Sequence, residues 1–412
     1  MPQDDKSFPS FREFVDSLEK KQAHEFAAQP SAKVENEEAF SEMKQHLLKM
    51  YKGVEAPHSF QDDAGQVFDC IPQEQQPSLR ASQQNVAKAP DLPAPPGQKS
   101  ADHAPVQPQL AAGHKDPHGN VKRCPDGTIP VRRVTMEELS RFKNLRDFFQ
   151  KTPMGKSRHP RLTAPQAGSG QHKYAHAFQS VNNIGGRSYL NIWQPNVGSE
   201  IFSLSQQWFA GGSPVQTVEC GWQVYKQKYN SVQPVLFIYW TADGYQNTGN
   251  YNLDATAFVQ TNSRWTIGGA FSNVSTDNGQ QYECEIGWYL YQGNWWLYLG
   301  GVTAADAIGY YPGTLYGSGQ LATAATNADF GGETVNQVNW PPMGSGAMAN
   351  TGFRHAAYHR DINYFGTDGS LQRAVLSASQ PSPSCYTIDV QNTSDPWNVY
   401  FFFGGPGGSN CA

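Results

Sequence analysis

The stretch TVECGWQVY, residues 217–225, alternates apolar and polar side chains with a period of two residues. Alternation of this kind is typical of a β-strand that buries one face. The apolar face of the predicted strand consists of Val218, Cys220, Trp222 and Val224. The opposite face places Glu219 beside Gly221, so the strand presents a carboxylate next to a position without a side chain.

Short segments of the same kind lie on both sides of this strand. They are rich in aromatic and β-branched residues, and Gly, Asn, Asp and Ser between them mark turns. Examples are SYLNIWQP at 188–195, EIFSLSQQWF at 200–209, PVLFIYWTADG at 234–244, YECEIGWYLY at 282–291 and NWWLYLGG at 294–301. About a dozen such strands after residue 172, without helical pattern between them, predict an antiparallel β-sandwich or barrel. No internal repeat of fixed period is evident, which argues against a propeller.

Charge divides the 412 residues into two unlike units near residue 165. Residues 1–165 contain 23 Lys and Arg and 22 Asp and Glu, whereas residues 166–412 contain only 8 and 14, together with all ten tryptophans. Neither unit has the basic balance that nucleic-acid binding requires. No apolar run approaches the roughly 18–20 residues that span a membrane. We therefore expect partners other than nucleic acid or a membrane.

The unit 1–165 is predicted to be partly helical. Apolar residues at helical spacing indicate two short helices within 8–52, and a capping box at Thr135 precedes a third helix at about 136–150. Between them, the Pro/Ala/Gln-rich composition of 73–118 predicts a flexible linker. Residues 151–170 contain prolines and basic residues and are expected to form an exposed processing segment.

The six cysteines contain no C-x-x-C pair that would suggest zinc or redox chemistry. The pairing that keeps each bridge within one unit joins Cys70 to Cys124, Cys220 to Cys284 and Cys385 to Cys411, with free buried thiols as the alternative. Two glycosylation sequons begin at Asn273 and Asn392. These features favour secretion. Because the N-terminal MPQDDKSFPSF lacks the pattern of a signal peptide, either the protein is intracellular or such a peptide has been removed, and we expect the second.

Histidine and serine motifs give little indication of catalysis. A G-x-S-x-G elbow is absent, and His355 with His359 has i, i+4 spacing without the glutamate of H-E-x-x-H. The sequence therefore predicts neither a metal nor a cofactor.

Carboxylates are scarce after residue 165 and are more informative. Glu219 lies on a polar strand face, and Glu333 follows two glycines in ADFGGETVN at 328–336. Glycines in a strand permit close approach of a backbone or a substrate. From the residues alone, both glutamates are either ordinary solvent-facing residues or members of a site. The pair Glu283 and Glu285 is more typical of a wet strand face.

Two carboxyl groups held together have a definite chemical use. They share one proton, so the ionised member accepts a proton from water while the protonated member donates to a carbonyl oxygen. Such a pair serves an acid-operating peptidase or, at a suitable spacing, a glycosidase.

Motifs from about residue 60 onward resemble the neprosin family of glutamic peptidases, and the N-terminal unit is similar to that family's activation peptide. The matching segments occur in one order. They include FDC at 68–70, CPDGTIPVRR at 124–133, FSLSQQW at 202–208, ECGWQV at 219–224, FIYWTADGYQNTGNYNL at 237–253, FGGETVN at 330–336 and GGPGG at 404–408.

The resemblance implies an all-β catalytic domain in 166–412, a jelly-roll-like antiparallel sandwich of two bent sheets, preceded by a partly helical propeptide. It places the catalytic glutamates at Glu219 and Glu333. It implies a zymogen that removes its own N-terminal unit in acid and hydrolyses peptide bonds after proline, with water as the nucleophile. Candidate substrate-binding residues in matching segments are Gln206, Trp240, Asp243 and Tyr245.

The expected partners are proline-containing peptides or proteins and the chain's own propeptide, which would act as an intramolecular inhibitor of a monomer. Two other classes of function remain open. A β-sandwich glycoside hydrolase would use the same carboxylates on polysaccharides. A non-catalytic carbohydrate-binding cell-wall protein would instead stack its aromatic residues on sugars.

Overall fold

The computed structural model describes residues 8–27, 29–62, 64–82, 85–93, 114–115, 121–151, 172–198, 201–336 and 338–411. The α-helices within these ranges are α1 (Phe11–Lys20), α2 (Ala23–Ala27), α3 (Glu37–Tyr51), α4 (Pro77–Ser82), α5 (Met136–Leu139), α6 (Leu145–Phe149) and α7 (Lys226–Tyr229). Short 3-10 turns occur at Gln73–Gln75, Ala304–Asp306, Gly313–Tyr316, Gln320–Ala322 and Ala349–Thr351.

Strands account for most of the regular structure. Those before residue 172 are β1 (His58–Gln61), β2 (Val67–Pro72), β3 (His114–Lys115), β4 (Val121–Lys122) and β5 (Thr128–Arg132). Those after it are β6 (His172–Asn191), β7 (Phe202–Gly211), β8 (Gln216–Val224), β9 (Val235–Thr241), β10 (Val259–Gln260), β11 (Glu283–Tyr291), β12 (Asn294–Leu299), β13 (Ala307–Pro312), β14 (Ala325–Val335), β15 (Ala357–Gly366), β16 (Leu371–Arg373), β17 (Ser377–Ser379), β18 (Thr387–Asn392) and β19 (Val399–Gly404).

Strand β6 organises the 14-stranded antiparallel sheet because it has different partners along its 20 residues. Its first half pairs with β14, which continues through β7 and β8 to β9. Its second half pairs with β11 and β15. Between the halves, Gly185 has a φ of +115°, and a Cβ there would lie 2.0 Å from the carbonyl oxygen of Trp288. Only glycine fits this position, where the partners of β6 change.

The two curved halves of the sheet pack on one aromatic core. Trp222 of β8 and Trp288 of β11 are fully buried and belong to the same cluster. Gln207 on β7 donates from Nε2 to the carbonyl oxygen of Ile286 on β11 at 2.7 Å, which joins the two halves directly. Burying each large apolar side chain contributes about 1.5–3 kcal/mol. The predicted all-β sandwich preceded by a partly helical segment is confirmed.

Two of the three predicted disulfides are present. Cys70–Cys124 and Cys385–Cys411 are bonded, whereas the predicted Cys220–Cys284 bond is wrong, since both cysteines are free and buried. Cys220 projects into the core from β8 and Cys284 from β11. Strand β8 pairs with β7 and β9, whereas β11 pairs with β6 and β12, so no strand ladder places the two cysteines side by side.

The predicted single helix at 136–150 is also wrong, because two short helices occupy that range. The Thr135 hydroxyl accepts a hydrogen bond from the Glu138 amide and begins α5. Asn144 adopts an extended backbone, and its side chain accepts from the Asp147 amide to begin α6. A second N-cap within the apolar pattern therefore divides the helix.

The predicted flexible linker is in part a packed segment. Leu79 and Leu92 are buried in a cluster with aromatic residues of β11, β12 and β13. Gln76 accepts from the Gln260 amide at 2.8 Å, and the Tyr298 hydroxyl donates to the Pro90 carbonyl at 2.6 Å. These leucines and hydrogen bonds attach the described parts of this segment, 73–82 and 85–93, to the sheet, while 83 and 84 lie outside the described residues. Residues 94–113 and 116–120 lie outside the described residues.

The predicted exposed processing segment begins with a buried residue, because Lys151 is only 3% exposed. The remainder of that segment, 152–170, lies outside the described residues. Among the helices that the structure describes, none is long and apolar enough to span a membrane.

Candidate active site

The two candidate glutamates lie on one face of the sheet and are separated by a single strand. Glu219 of β8 is opposite Trp208 of β7, and Glu333 of β14 is opposite Leu204 of β7. Residues opposite each other in antiparallel strands point to the same face, and so do residues two apart along one strand. Gln206 of β7 therefore projects between the two glutamates.

Two glycines flank Gln206 in the neighbouring strands, Gly221 on β8 and Gly331 on β14. A Cβ at Gly221 would lie 2.0 Å from the Ser205 carbonyl oxygen, and a Cβ at Gly331 would lie 2.5 Å from the Ala175 carbonyl oxygen. Backbone atoms cannot yield to such contacts as flexible side chains can. The glycines thus permit the close approach expected from the sequence, and it is the backbone of a neighbouring strand that approaches them.

A lysine of the N-terminal unit bridges the two carboxylates. Lys151 places Nζ 2.5 Å from Oε2 of Glu219 and 2.8 Å from Oε2 of Glu333. The same nitrogen donates to Oε1 of Gln206 at 3.0 Å. The side chains of all three charged residues are at most 3% exposed. Two oxygens this close to one nitrogen are brought within a few ångström of each other, which is the arrangement that paired-carboxyl chemistry requires.

The other carboxylate oxygen of Glu333, Oε1, contacts two further side chains. Nδ1 of His172 lies 2.5 Å from Oε1, and the Tyr174 hydroxyl donates to Oε1 at 3.3 Å. Gln206 Nε2 donates to Oε2 at 3.2 Å. His172 and Tyr174 are the first and third residues of β6, which pairs with β14.

Glu219 is surrounded by hydroxyl groups apart from its contact with Lys151. The Tyr245 hydroxyl donates to Oε1 at 2.6 Å, and the Thr217 hydroxyl donates to the same oxygen at 2.8 Å. Burial, reinforced by the charge of Glu219, raises the pKa of Tyr245 well above its ordinary value, so this phenol remains a donor. The surroundings of the two glutamates therefore differ. A histidine contacts Glu333, whereas the contacts described for Glu219 come from two hydroxyl groups and Lys151.

Charge pairing dominates the electrostatics of this buried group. Burial opposes ionisation of Glu333, but the charge of Lys151 and the hydrogen bond and charge of His172 outweigh it, so the pKa of Glu333 is lowered. Burial likewise opposes a charge on Lys151, yet the two carboxylates raise its pKa. Lys151 and Glu333 thus stabilise each other's charged forms.

Helix α6 delivers Lys151 to the carboxylates by docking on α7 of the C-terminal unit, residues 166–412. Lys228 of α7 is fully buried and donates from Nζ to the Phe148 carbonyl oxygen at 3.0 Å. Its ammonium lies 3.5 Å from the centre of the Phe148 ring and 2.8 Å from Oδ2 of Asp254. Arg141 also donates to the Gln227 carbonyl oxygen. The end of the N-terminal unit is therefore anchored at Phe148, three residues before Lys151.

The four candidate substrate-binding residues are not all brought together. Gln206 and Tyr245 contact the glutamates directly. Trp240 instead packs in the core against Tyr311 and Tyr316, because it is opposite Val218 on the inner face. Asp243 accepts hydrogen bonds from the amides of 246–248, and these bonds shape the loop that carries Tyr245.

The histidine pair with i, i+4 spacing is not a site. His355 is partly exposed and contacts Asp277, whereas His359 is buried between the hydroxyls of Ser188 and Ser205. Burial lowers the pKa of His359 to about 3. Within the part of the chain that the structure describes, no three His, Cys, Asp or Glu residues are grouped as metal ligands.

Sequence reasoning missed Lys151, His172, Tyr174 and Thr217. The segment HKYAHAF at 172–178 does alternate in the β manner, so His172 and Tyr174 were detectable as neighbours on one strand face. Nothing local distinguishes Lys151 from the other basic residues near the end of the first unit, because its partners lie far away in sequence.

Comparison with known families gives a consistent assignment. The Neprosin family model matches residues 199–406, and the Neprosin activation peptide model matches residues 59–178. The chain belongs to the Neprosin family. This family supports a glutamic-type peptidase that carries an activation peptide, and the activation-peptide match includes Lys151.

Some solved structures are also similar to the chain at low identity. One is scytalido-glutamic peptidase with a transition state analog inhibitor, at 11% identity and a TM-score of 0.30, covering 57% of this chain and 98% of that chain. Another is SCP-B, a member of the Eqolisin family of peptidases, in a complex with the tripeptide Ala-Ile-His. It is 9% identical with a TM-score of 0.28, over the same shares of the two chains.

Proposed function

We propose that this protein is the zymogen of an acid-acting glutamic endopeptidase, with Glu219 and Glu333 as the catalytic pair and Lys151 as the inhibitory residue. The observation that carries this proposal is the position of one ammonium between both carboxylates, at 2.5 and 2.8 Å. The ammonium occupies the volume that a water molecule and a scissile carbonyl group need. The N-terminal unit thus inhibits by filling the reactive position itself.

Departure of Lys151 would leave two buried carboxyl groups without their shared cation. Two such groups retain one proton between them. We assign the proton to Glu219, whose remaining donors are the hydroxyls of Tyr245 and Thr217, and the negative charge to Glu333, which retains His172. In this assignment Glu333 is the general base and Glu219 the general acid.

The reaction then follows from these two states. Glu333 removes a proton from a water molecule, and the water oxygen forms a bond to the carbonyl carbon. Glu219 donates its proton to the carbonyl oxygen, which stabilises the tetrahedral intermediate. The C–N bond then breaks, the nitrogen takes the proton held by Glu333, and the hydroxyl proton returns to Glu219. Gln206, between the two, is placed to orient the water or the carbonyl group.

Secretion and a preference for proline before the scissile bond form part of the proposal. Two disulfides support an oxidising compartment. Stacked Tyr239 and Tyr245, with ring centres 5.9 Å apart beside Glu219, support a subsite for a flat apolar ring. The neprosin resemblance supports cleavage after proline.

The proposal is tested by acid treatment of the full chain and of the variants Glu219→Gln and Glu333→Gln. We expect the unchanged protein to convert to a fragment of about the size of the catalytic unit at pH 3–5 and then to cleave added proline-containing peptides. Each variant should lose both activities by at least about 100-fold, the scale of an acid/base group. Asp389→Asn, which alters an exposed carboxylate on β18, is the matched control. Processing that survives in both glutamine variants would contradict the assignment of Glu219 and Glu333 as the catalytic pair.

A polysaccharide assay on the same samples addresses the glycosidase alternative. The two glutamate oxygens that share one nitrogen are closer than the about 6.5–9.5 Å of inverting glycosidases. Release of sugars in place of peptides would replace the proposed substrate class.

A further inference from the structure

The residue beside the proposed base, His172, belongs to the catalytic unit. Although the activation-peptide match extends to residue 178, β6 begins at His172 and is paired with β14 from its first residue. The register runs from His172 opposite Val335 to Asn183 opposite Ala325. Removing β6 would break the middle of the large sheet, so an activated enzyme retains His172 after Lys151 has left.

His172 has close contacts with Glu333 and Tyr174. Its Nδ1 lies 2.5 Å from Oε1 of Glu333, its side chain is 7% exposed, and its ring stacks on Tyr174 with an interplanar angle of 9°. Among the described residues, titratable and charged groups near this pair come from several elements. They are Tyr174 and the ion-paired His176 of β6, Asp329 of β14, Glu219 of β8, Tyr245 of the loop after β9, and Lys151 of the N-terminal unit.

We propose that His172 is a positioning residue of the active enzyme, which as an imidazolium keeps Glu333 ionised and leaves the shared proton on Glu219. This inference rests on the proposed peptidase function and extends it to the control of the acid limit of activity. His172 acts through Glu333 and needs no contact with the substrate.

The physical argument compares the zymogen with the activated enzyme. Glu333 is buried, which disfavours its charge, and in the zymogen Lys151 and His172 together compensate for that burial. After Lys151 leaves, Tyr174 and Gln206 still donate hydrogen bonds but carry no charge. An adjacent opposite charge typically lowers the pKa of a carboxyl group by about 1–3 units. Loss of the imidazolium should therefore raise the pKa of Glu333, and the general base should become protonated at higher pH.

Three variants separate charge from hydrogen bonding and from packing. His172→Gln keeps a hydrogen-bond donor and removes the charge, whereas His172→Lys keeps a cation without the ring. His176→Gln is the matched control, because His176 lies on the same face four residues further along β6 and pairs with Asp329 at 2.7 Å. Glu333→Gln marks failure of the peptidase function itself.

The experiment measures kcat/KM of the acid-processed proteins, and the rate of self-processing, from pH 2 to pH 7 with one peptide substrate. The acid limb of the profile is the pH range in which kcat/KM falls as the solution becomes more acidic. For His172→Gln we expect this limb to move up by about 1–3 pH units, with activity above it within a few-fold of the unchanged protein. His172→Lys should restore the limb to within about half a unit, and His176→Gln should leave it in place.

An unmoved acid limb in His172→Gln, with Glu333→Gln inactive, would overturn this inference and leave the proposed function intact. Equal loss of activity at every pH in both the Gln and Lys variants would show a purely structural role and would also overturn it. Activity in Glu333→Gln would instead remove the proposed function.

Discussion

At the scale of single residues, Lys151 is central to the site because its one ammonium contacts two buried carboxylates at once. Breaking a buried ion pair by removing one partner typically costs about 3–5 kcal/mol, since a charge is left without compensation. Here removal of Lys151 would leave Glu219 and Glu333 facing each other without their shared cation. The docking of the N-terminal unit is therefore strongly coupled to the ionisation of the pair.

Lys151→Met should release the N-terminal unit under milder conditions. The substitution keeps a long apolar side chain but removes the cation, so the zymogen should lose thermal stability and should process at a pH where the unchanged protein stays intact. Gel analysis across pH 3–7, with a melting curve at pH 7, measures both effects. Lys143→Met, on an exposed lysine of the same unit, should change neither. An unaltered pH dependence in Lys151→Met would contradict the inhibitory role.

The sign of the acid effect follows from the direction of the shifts. Since the pKa of Glu333 is lowered from 4.5, its stabilising contribution is complete above about pH 4.5 and declines as pH falls toward the lowered value. Since the pKa of Lys151 is raised from 10.5, its contribution persists throughout the acid range. Acid therefore weakens this contact through the carboxylate and leaves the ammonium charged.

At the scale of elements, α3 provides a second acid-sensitive contact between the two units. His46 of α3 places Nε2 2.8 Å from the Asp254 carbonyl oxygen, and its ring packs edge-on against Phe149 at 5.1 Å. Burial lowers the pKa of His46. A histidine held neutral in this way contributes stability above about pH 6.5, and this contribution is lost as pH falls toward the lowered pKa. Protonation of His46 thus opposes docking at mildly acid pH.

His46→Gln should move the midpoint of processing to lower pH. Glutamine retains a donor for the Asp254 carbonyl group but does not gain a charge, so we expect a shift of a few tenths to about one pH unit. A pH series of self-processing provides the measurement. His24→Gln, on an exposed histidine of α2, is the control. A midpoint that stays in place or rises would show that His46 takes no part in acid release.

Strand β14 offers a test of the curvature that unites the glutamates. At Gly331 φ is +146°, and an added Cβ would meet the backbone of β6 at Ala175 and His176. Gly331→Ala should destabilise the protein by about 1–3 kcal/mol or more, and it should reduce activity, because Glu333 follows two residues later. Denaturant unfolding and peptide cleavage measure the two effects.

Gly293→Ala separates steric contact from backbone strain. This glycine also has positive φ, at +73°, but an added Cβ would meet nothing within 4 Å. If the two variants lose equal stability, the close approach of β6 and β14 is not what requires Gly331.

Elements that were predictable from sequence are those whose signal is local. Alternation in 217–225 predicts β8 and both of its faces, and the glycines before Glu333 predict a close backbone contact. The break within 136–150 was not predicted, because Asn144 acts as an N-cap inside a continuous apolar pattern. The core position of Trp240 was not predicted, because an aromatic residue in a strand is compatible with either face until the register is known.

At the scale of the whole molecule, long-range contacts explain the remaining errors. Cys220 and Cys284 look like a pair when bridges are assigned by parsimony, but they project from different halves of the sheet. Lys151 reaches carboxylates 68 residues away at Glu219 and farther at Glu333. No spacing rule connects positions that only the folded sandwich brings together, so the family resemblance pointed to the two glutamates but not to Lys151.

The division between the two units makes a final prediction about where the chain is cut. Lys151 must leave the carboxylates for the site to open, whereas β6 must stay, so cleavage should fall between Lys151 and His172. The charge pattern predicts the same region, with a boundary near residue 165. Neither of the two disulfides that the structure describes joins the units, since Cys70–Cys124 precedes this interval and Cys385–Cys411 follows it. The fragments should therefore separate without a reducing agent.

Intact-mass analysis of the acid-treated protein under non-reducing conditions measures this outcome. The C-terminal fragment should begin between residues 152 and 172 and should show two alkylatable thiols after denaturation, from Cys220 and Cys284. Glu333→Gln should yield neither fragment. A fragment that begins beyond His172 would contradict the retention of β6, and with it the argument that His172 acts in the mature enzyme. Fragments that stay linked until reduction would contradict the disulfide assignment and leave the cleavage argument standing.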